Sequence, residues 1–296
     1  MTRANLKEKI KQEVFLLDGA MGTQLFERGI RAGKCNDYLN IESPDVILDI
    51  HKAYIKAGSD AILTNTFGAN RITLARHGLG DKITEINIAG VQIAREAAGE
   101  YKYVLGDIGP CGDFLEPVGT LTAELLKQAF AEQAKVLCST GIDGIIIETI
   151  TALDEMLVAI EAVKSVSNLP IFASMSFDKV GNDFRTMMGV DVETAVSKII
   201  SFGVDAVGFN CGKMLLDDYV KLSEKFVSAV NKKALILAEP NAGLPEMVGE
   251  KAVYKVTPED FVATMEKIHS TGITIIGGCC GTSPEHIKAM SKRLKR

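Results

Sequence analysis

Ser139-Thr140-Gly141-Ile142-Asp143-Gly144-Ile145-Ile146-Ile147-Glu148-Thr149 reads as a helix end, a turn, a strand and a carboxylate in direct succession. A glycine just past a segment of helical period takes the left-handed conformation that stops a helix, and the apolar run that follows suits a strand buried on both faces. The phrase recurs at Lys56-Ala57-Gly58, Ser201-Phe202-Gly203 and Ser270-Thr271-Gly272, each leading into another apolar run. Outward from these four points, strands are expected at 14–18, 61–66, 104–109, 144–149, 170–176, 206–211, 235–239 and 273–277. Apolar residues at i, i+3, i+4 and i+7 place helices at 45–57, 123–139, 152–167, 191–202, 215–230 and 258–270. Ser43-Pro44, Thr257-Pro258 and Ser283-Pro284 put a capping hydroxyl before a proline suited to the first helical turn. Strand starts fall on average 37 residues apart over the seven intervals from 14 to 273, the length of a βα unit with its loops. Eight such units predict an α/β chain folded as a single-domain (β/α)8 TIM barrel over 1–296, with 1–13 as an N-terminal helical extension. A doubly wound open sheet competes, but no Gly-x-Gly-x-x-Gly follows the first strand to mark a dinucleotide site.

Composition narrows the classes of function. With 47% hydrophobic and 24% charged residues, the chain of 296 residues has the material for a large core and is far from the composition of a disordered segment. A net charge of -5, with no basic stripe beyond Lys292-Arg293-Leu294-Lys295-Arg296, disfavours nucleic acid as a partner. Met1 to Glu13 carry no apolar signal core, and no run of about 18 apolar residues suggests a membrane span, so the expected location is the cytoplasm. Six cysteines there point to reduced thiols rather than to a disulfide framework.

In a barrel of this kind the chemistry sits at the C-terminal strand ends. Those ends carry Asp18 and Gly19, Thr64-Asn65-Thr66, Asp107, Glu148-Thr149, Ser174 and Ser176, Asn210-Cys211, Glu239 and Asn241, and Cys279-Cys280. Within Gly277-Gly278-Cys279-Cys280-Gly281-Thr282 the glycines relax the backbone, which both thiols need if they are to face one site. Barrel closure would bring Cys211 to the same rim. Three converging thiolates suit zinc and leave a fourth position for water or substrate, as in catalytic zinc sites. The plainer alternative is that these are small buried core residues. A disulfide between the neighbours is disfavoured by ring strain and a reducing compartment. Asp18 and Glu148 end apolar strands, where a carboxylate is costly unless it is paired, hydrated or facing a ligand; two of them suit an ammonium group, against helix capping or an arginine pair. Gly19 beside Asp18 suggests a close backbone approach. Cys35, Cys111 and Cys138 receive no role, and His51, His77, His269 and His286 fall on expected helices or their ends, where solvation or capping is the simplest outcome.

Leu16-Leu17-Asp18-Gly19-Ala20-Met21-Gly22-Thr23, Thr64-Asn65-Thr66-Phe67, Ile146-Ile147-Glu148-Thr149, Gly208-Phe209-Asn210-Cys211, Pro240-Asn241-Ala242-Gly243-Leu244-Pro245 and Gly277-Gly278-Cys279-Cys280-Gly281-Thr282 together resemble, in order, the homocysteine S-methyltransferase family. The likeness is strongest to the N-terminal homocysteine-binding module of cobalamin-dependent methionine synthases, and it runs from Val14 to Met290. The resemblance implies a zinc-containing barrel enzyme of methionine biosynthesis. Cys211, Cys279 and Cys280 would bind Zn2+, Asp18 and Glu148 would face the amino group of homocysteine, and Gly19 with nearby amides would meet its carboxylate. Asn241 would offer a fourth metal ligand before substrate arrives. The absence of tryptophan, and of tyrosine in Phe67-Gly68-Ala69-Asn70, removes the aromatic cage of the betaine-dependent branch. The implied donor is methylcobalamin or a methylcorrinoid protein; S-adenosylmethionine or S-methylmethionine is the alternative, and a non-catalytic zinc or thiol-binding module is the reading from another class. A Schiff-base aldolase would need a lysine at an inner strand end, and none is there.

Overall fold

Side chains alternate across a strand, and this sorts the apolar residues into two cores. In the computed structural model, which describes residues 4–11, 14–30, 33–248 and 251–295, eight parallel strands form one sheet: β1 (Phe15–Leu16), β2 (Ala61–Leu63), β3 (Tyr103–Ile108), β4 (Gly144–Ile150), β5 (Ile171–Met175), β6 (Ala206–Cys211), β7 (Leu235–Pro240) and β8 (Ile275–Ile276). Phe15, Leu17, Leu105, Ile146, Phe172, Leu237 and Ile275 fill the barrel interior, joined by Leu6 and Ile10 from the N-terminal segment. Leu16, Ile62, Val104, Ile147 and Ala238 point outward into the larger core against the helices. The chain is therefore a (β/α)8 barrel.

Strand β1 pairs with β8, and pairing continues through β7, β6, β5, β4 and β3 to β2. The gap between β1 and β2 is bridged by two carboxylates and a backbone bond instead of a ladder. Leu16 N–H donates to Asp60 Oδ2 at 2.9 Å, Asp60 N–H donates to Leu16 O at 2.6 Å, and Leu63 N–H donates to Asp18 Oδ2 at 3.1 Å. This explains why β1 and β2 are shorter than the apolar runs: side-chain acceptors take over where the ladder stops.

The four repeated glycines all end helices at positive φ, from +71° at Gly203 to +113° at Gly58. Thr257 caps its helix by accepting from Asp260 N–H, as its sequence position suggests. Ser43 does not; its hydroxyl makes no capping bond, and Pro44 alone starts the helix Pro44–Ala57. At Pro284–Leu294 the cap is shared, with His286 Nδ1 accepting from Ser283 N–H at 3.2 Å. Between β2 and β3 runs Ile83–Ala98, whose buried face contains Asn87 and Gly90 and so breaks the apolar period. Asn87 donates to Ala69 O and Ile83 O, and Gly90 lies against Thr66 and Asn40, so the helix packs on polar groups behind the rim. In the expected N-terminal extension, Leu6–Lys9 is helical, and residues 1–3, 12 and 13 lie outside the described residues.

Candidate active site

The C-terminal mouth of the barrel opens into a cavity of about 430 Å³. Asp18, Gly19, Glu148, Cys211, Cys279 and Cys280 all line it, so six of the seven residues singled out by sequence share one wall system. Asn241, the seventh, sits just behind: its Nδ2 donates to Gly212 O at 2.8 Å and lies 3.8 Å from Cys211 Sγ. Asp107 and Glu239 line the cavity too, and so do Asp37, Lys34 and His77. Five carboxyl groups thus face one lysine and one histidine.

Strand parity explains the carboxylates. Asp107 shares its face with Tyr103 and Leu105, Glu148 with Ile146, and Glu239 with Leu235 and Leu237, so each is the inward residue where the apolar filling ends. Parity alone would turn Cys211 away from the interior, because its inward neighbours are Ala206, Gly208 and Asn210. A φ of +57° at Cys211 reverses this, and Thr149 beside Glu148 has φ +59°. Each such residue costs about 1–2 kcal/mol in backbone strain, a cost concentrated at the rim. Strand β8 ends at Ile276, so Cys279 and Cys280 lie on the turn beyond it. The turn is tight: a Cβ at Gly278 would lie 2.5 Å from Thr282 Cγ2.

The sulfurs of Cys211, Cys279 and Cys280 lie within 4.8 Å of one another. Three thiolates on a tetrahedral zinc with Zn–S of about 2.3 Å would stand roughly 3.8 Å apart, so the cluster needs little movement to close on an ion. A second observation fits the same group. Asn241, whose Nδ2 lies 3.8 Å from Cys211 Sγ, has its Oδ1 buried with no hydrogen-bond partner, an arrangement that costs about 1–3 kcal/mol unless something accepts the lone pair. Hydrogen bonds from Cys279 and Cys280 hold the Cys211 thiol far below the usual range, so a thiolate is already favoured at that corner. The Tyr254 hydroxyl reaches the Cys280 sulfur, and its ring packs where a side chain on Gly281 would lie.

Among the carboxyls beside the thiols, burial sets the protonation states. It pushes Asp18, Asp107 and Glu239 well above the carboxylate range, and it raises Glu148 to about 7 with help from the neighbouring Cys211 thiolate. Asp107 shares a hydrogen bond with Glu148, while Asp107 Oδ1 and Glu239 Oε2 are buried without a partner. Buried carboxyl oxygens without partners are free to accept hydrogen bonds from a cation. Asp18 divides its work, since Oδ2 also closes the β1–β2 gap. Gly19 makes its close approach to Thr282 Oγ1 and the Tyr54 ring rather than to open space.

The sequence reading placed Asp107, Asn210 and Glu239 at strand ends without giving them a role, and it missed Tyr254. Counting parity from the last apolar inward residue would have ranked Asp107 and Glu239. Tyr254 arrives from a long loop and gives no local signal. Among the other cysteines, Cys35 lines the outer cavity with Sγ 3.7 Å from Asp37 Oδ2, and Cys111 is buried, its N–H donating to Glu155 Oε1 at 2.8 Å. Of the histidines, His51 departs from expectation: it is neither solvated nor capping but fully buried.

Fold and site together define a TIM-barrel enzyme with a thiol cluster beside an acidic pocket. The model of the homocysteine S-methyltransferase family matches residues 15–294, and the chain belongs to that family. It is 30% identical over 314 residues to a protein named methionine synthase from Mycobacterium leprae, covering 99% of this chain and 25% of that one. A methionine synthase from Mycobacterium tuberculosis is likewise 30% identical, over 309 residues, with coverages of 97% and 25%. The chain therefore spans about a quarter of the length of these relatives. The metallated form of the homocysteine methyltransferase MmuM from Escherichia coli shares the fold with a TM-score of 0.80 at 21% identity, covering 97% of this chain and 99% of that one.

Proposed function

We propose that the chain transfers a methyl group to the sulfur of homocysteine, giving methionine, with Zn2+ held by Cys211, Cys279 and Cys280 and a methylcorrinoid as the external donor. The observation that carries the reading is the convergence of those three sulfurs in the same cavity as the buried carboxyls. Zinc bound there would supply the Lewis acidity that keeps a thiol ionised at neutral pH. Among the described residues only three cysteines converge, which favours a centre with an exchangeable position over the closed four-cysteine shell of a storage module. Asn241 Oδ1 is the proposed ligand at that position until substrate enters.

The chain's own residues bind and orient. Asp18 and Glu148 accept from the homocysteine ammonium, and the unpartnered oxygens of Asp107 and Glu239 give the same charge further acceptors. Backbone amides around Gly19 meet the carboxylate. With the amino acid anchored by the carboxyls, its sulfur would lie at the neighbouring thiols, facing the mouth; a methylcorrinoid docked there would supply the methyl as a CH3+ equivalent and keep the bonding electron pair. Holding sulfur and methyl in line contributes through orientation. The donor docks at the mouth, where the β-hairpins Asp178–Val180 with Asp183–Arg185 and Glu246–Val248 with Lys251–Val253 rise after β5 and β7. A methylcorrinoid is favoured by the resemblance to the N-terminal module of cobalamin-dependent methionine synthases, in keeping with 30% identical relatives that are named methionine synthases.

No helix among the described residues is long and apolar enough to cross a membrane. We place the chain in the cytoplasm, where its free cysteines stay reduced. A donor panel tests the function. With zinc-loaded protein and homocysteine, methionine is expected from methylcobalamin; formation only from S-adenosylmethionine or S-methylmethionine would overturn the corrinoid assignment, and no methionine from any donor would overturn the methyl-transfer reading.

A further inference from the structure

We propose that Asn210 is a positioning residue that locks the ammonium-binding carboxylate and the thiol cluster into one unit, so that homocysteine affinity depends on it without contact between the two. The inference rests on the homocysteine reading above. Asn210 is 1% exposed and sits on β6 immediately before Cys211, which the positive φ turns into the cavity. Every polar atom of its side chain is engaged. Oδ1 accepts from Thr149 N–H at 2.9 Å and from Ser174 Oγ at 2.8 Å. Nδ2 donates to Glu148 Oε2 at 2.5 Å and to Thr149 Oγ1 at 2.7 Å, with Cys279 Sγ 3.8 Å away.

The orientation of this amide is dictated by its partners. A backbone N–H can only donate, so the atom facing Thr149 N must be oxygen, and the nitrogen is left facing the Glu148 carboxylate. One planar group thereby ties β4, β5 and β6 to the turn after β8. It also holds Thr149 by both its backbone and its hydroxyl, at the position where φ is +59°. Without these bonds, Thr149 can relax and Glu148 can rotate away from the cavity. A general packing residue would have no reason to act through Glu148 in particular.

A double-mutant cycle separates the two possibilities. Homocysteine binding to the zinc-loaded full chain is measured by calorimetry for wild type, Asn210→Ala, Glu148→Gln and the double variant. Each single change is expected to weaken binding at least about tenfold, and the double variant is expected to bind no more weakly than the worse single one. Loss of zinc to a chelator, followed in the absence of homocysteine, is expected to quicken in Asn210→Ala and to stay at the wild-type rate in Glu148→Gln. Ser174→Ala, which removes one anchor of the amide and leaves the cavity lining intact, should weaken binding in the same direction by less, and serves if Asn210→Ala does not fold. Additive losses in the cycle, or wild-type binding in both Asn210→Ala and Ser174→Ala, overturn the proposal. Failure of wild type to bind homocysteine at all overturns the underlying function instead.

Discussion

Replacing Glu148 by glutamine keeps the shape of the side chain and removes its charge. The carboxyl is buried, no lysine or arginine among the described residues is paired with it, and Oε2 is already taken by Asn210 and Thr149. An arriving ammonium therefore gains about one further charge-assisted hydrogen bond from this residue, a contribution of about 1.5–3 kcal/mol. At 1.4 kcal/mol per decade, homocysteine should bind about 10- to 150-fold more weakly to the variant. Glutamine can still accept from Asn210 through its amide oxygen, so the rim should hold its geometry and zinc should remain. The assay is calorimetric titration of reduced, zinc-loaded wild type and Glu148→Gln with homocysteine, with metal content measured on the same samples. An unchanged dissociation constant in a variant that retains its zinc would remove Glu148 from the substrate site and refute the reasoning.

Asp18→Asn should weaken homocysteine binding while the amide oxygen still accepts from Leu63 N–H, whereas Asp18→Ala should also lower the melting temperature by opening the β1–β2 gap; equal melting temperatures would show that Asp18 does not help close the barrel. Gly278→Ala forces a Cβ to within 2.5 Å of Thr282 and should cost zinc affinity by moving Cys279, which titration with a competing chelator measures. His51, fully buried with both ring nitrogens unpartnered, is pushed down to about 4 by burial. Its folded form is thus depressed relative to about 6.5 in the unfolded chain, so its effect on stability is absent above that pH and grows as pH falls toward 4, reaching about 3 kcal/mol. His51→Phe should remove that component, seen as a smaller loss of urea midpoint between pH 7.5 and pH 4.5 than in wild type; parallel losses would contradict it.

Most of the barrel was legible because its signals are local. Positive φ at the four glycines and apolar runs on both faces depend on nearest neighbours, and Ala206–Cys211 and Ala123–Ser139 fall where the sequence puts them. Strands β1 and β2 came out shorter, because the Asp18 and Asp60 carboxylates replace ladder bonds between them, and no local pattern encodes that. The cysteine pair announced itself through its glycines, and barrel closure followed from the strand count. What could not be read was the interior network. The positive φ of Cys211 and Thr149 is sustained by contacts between residues some sixty positions apart, such as Asn210 with Thr149. Ser43 shows the reverse: a good local cap signal that the fold leaves unused.

Metal analysis of the reduced protein, set beside Cys280→Ser, addresses the thiol cluster most directly. About one zinc per wild-type chain and a small fraction of that in the variant is the predicted result, given a three-cysteine ligand set. Wild type without zinc after reduction and metal loading, or a Cys280→Ser variant with its zinc intact, would contradict the account.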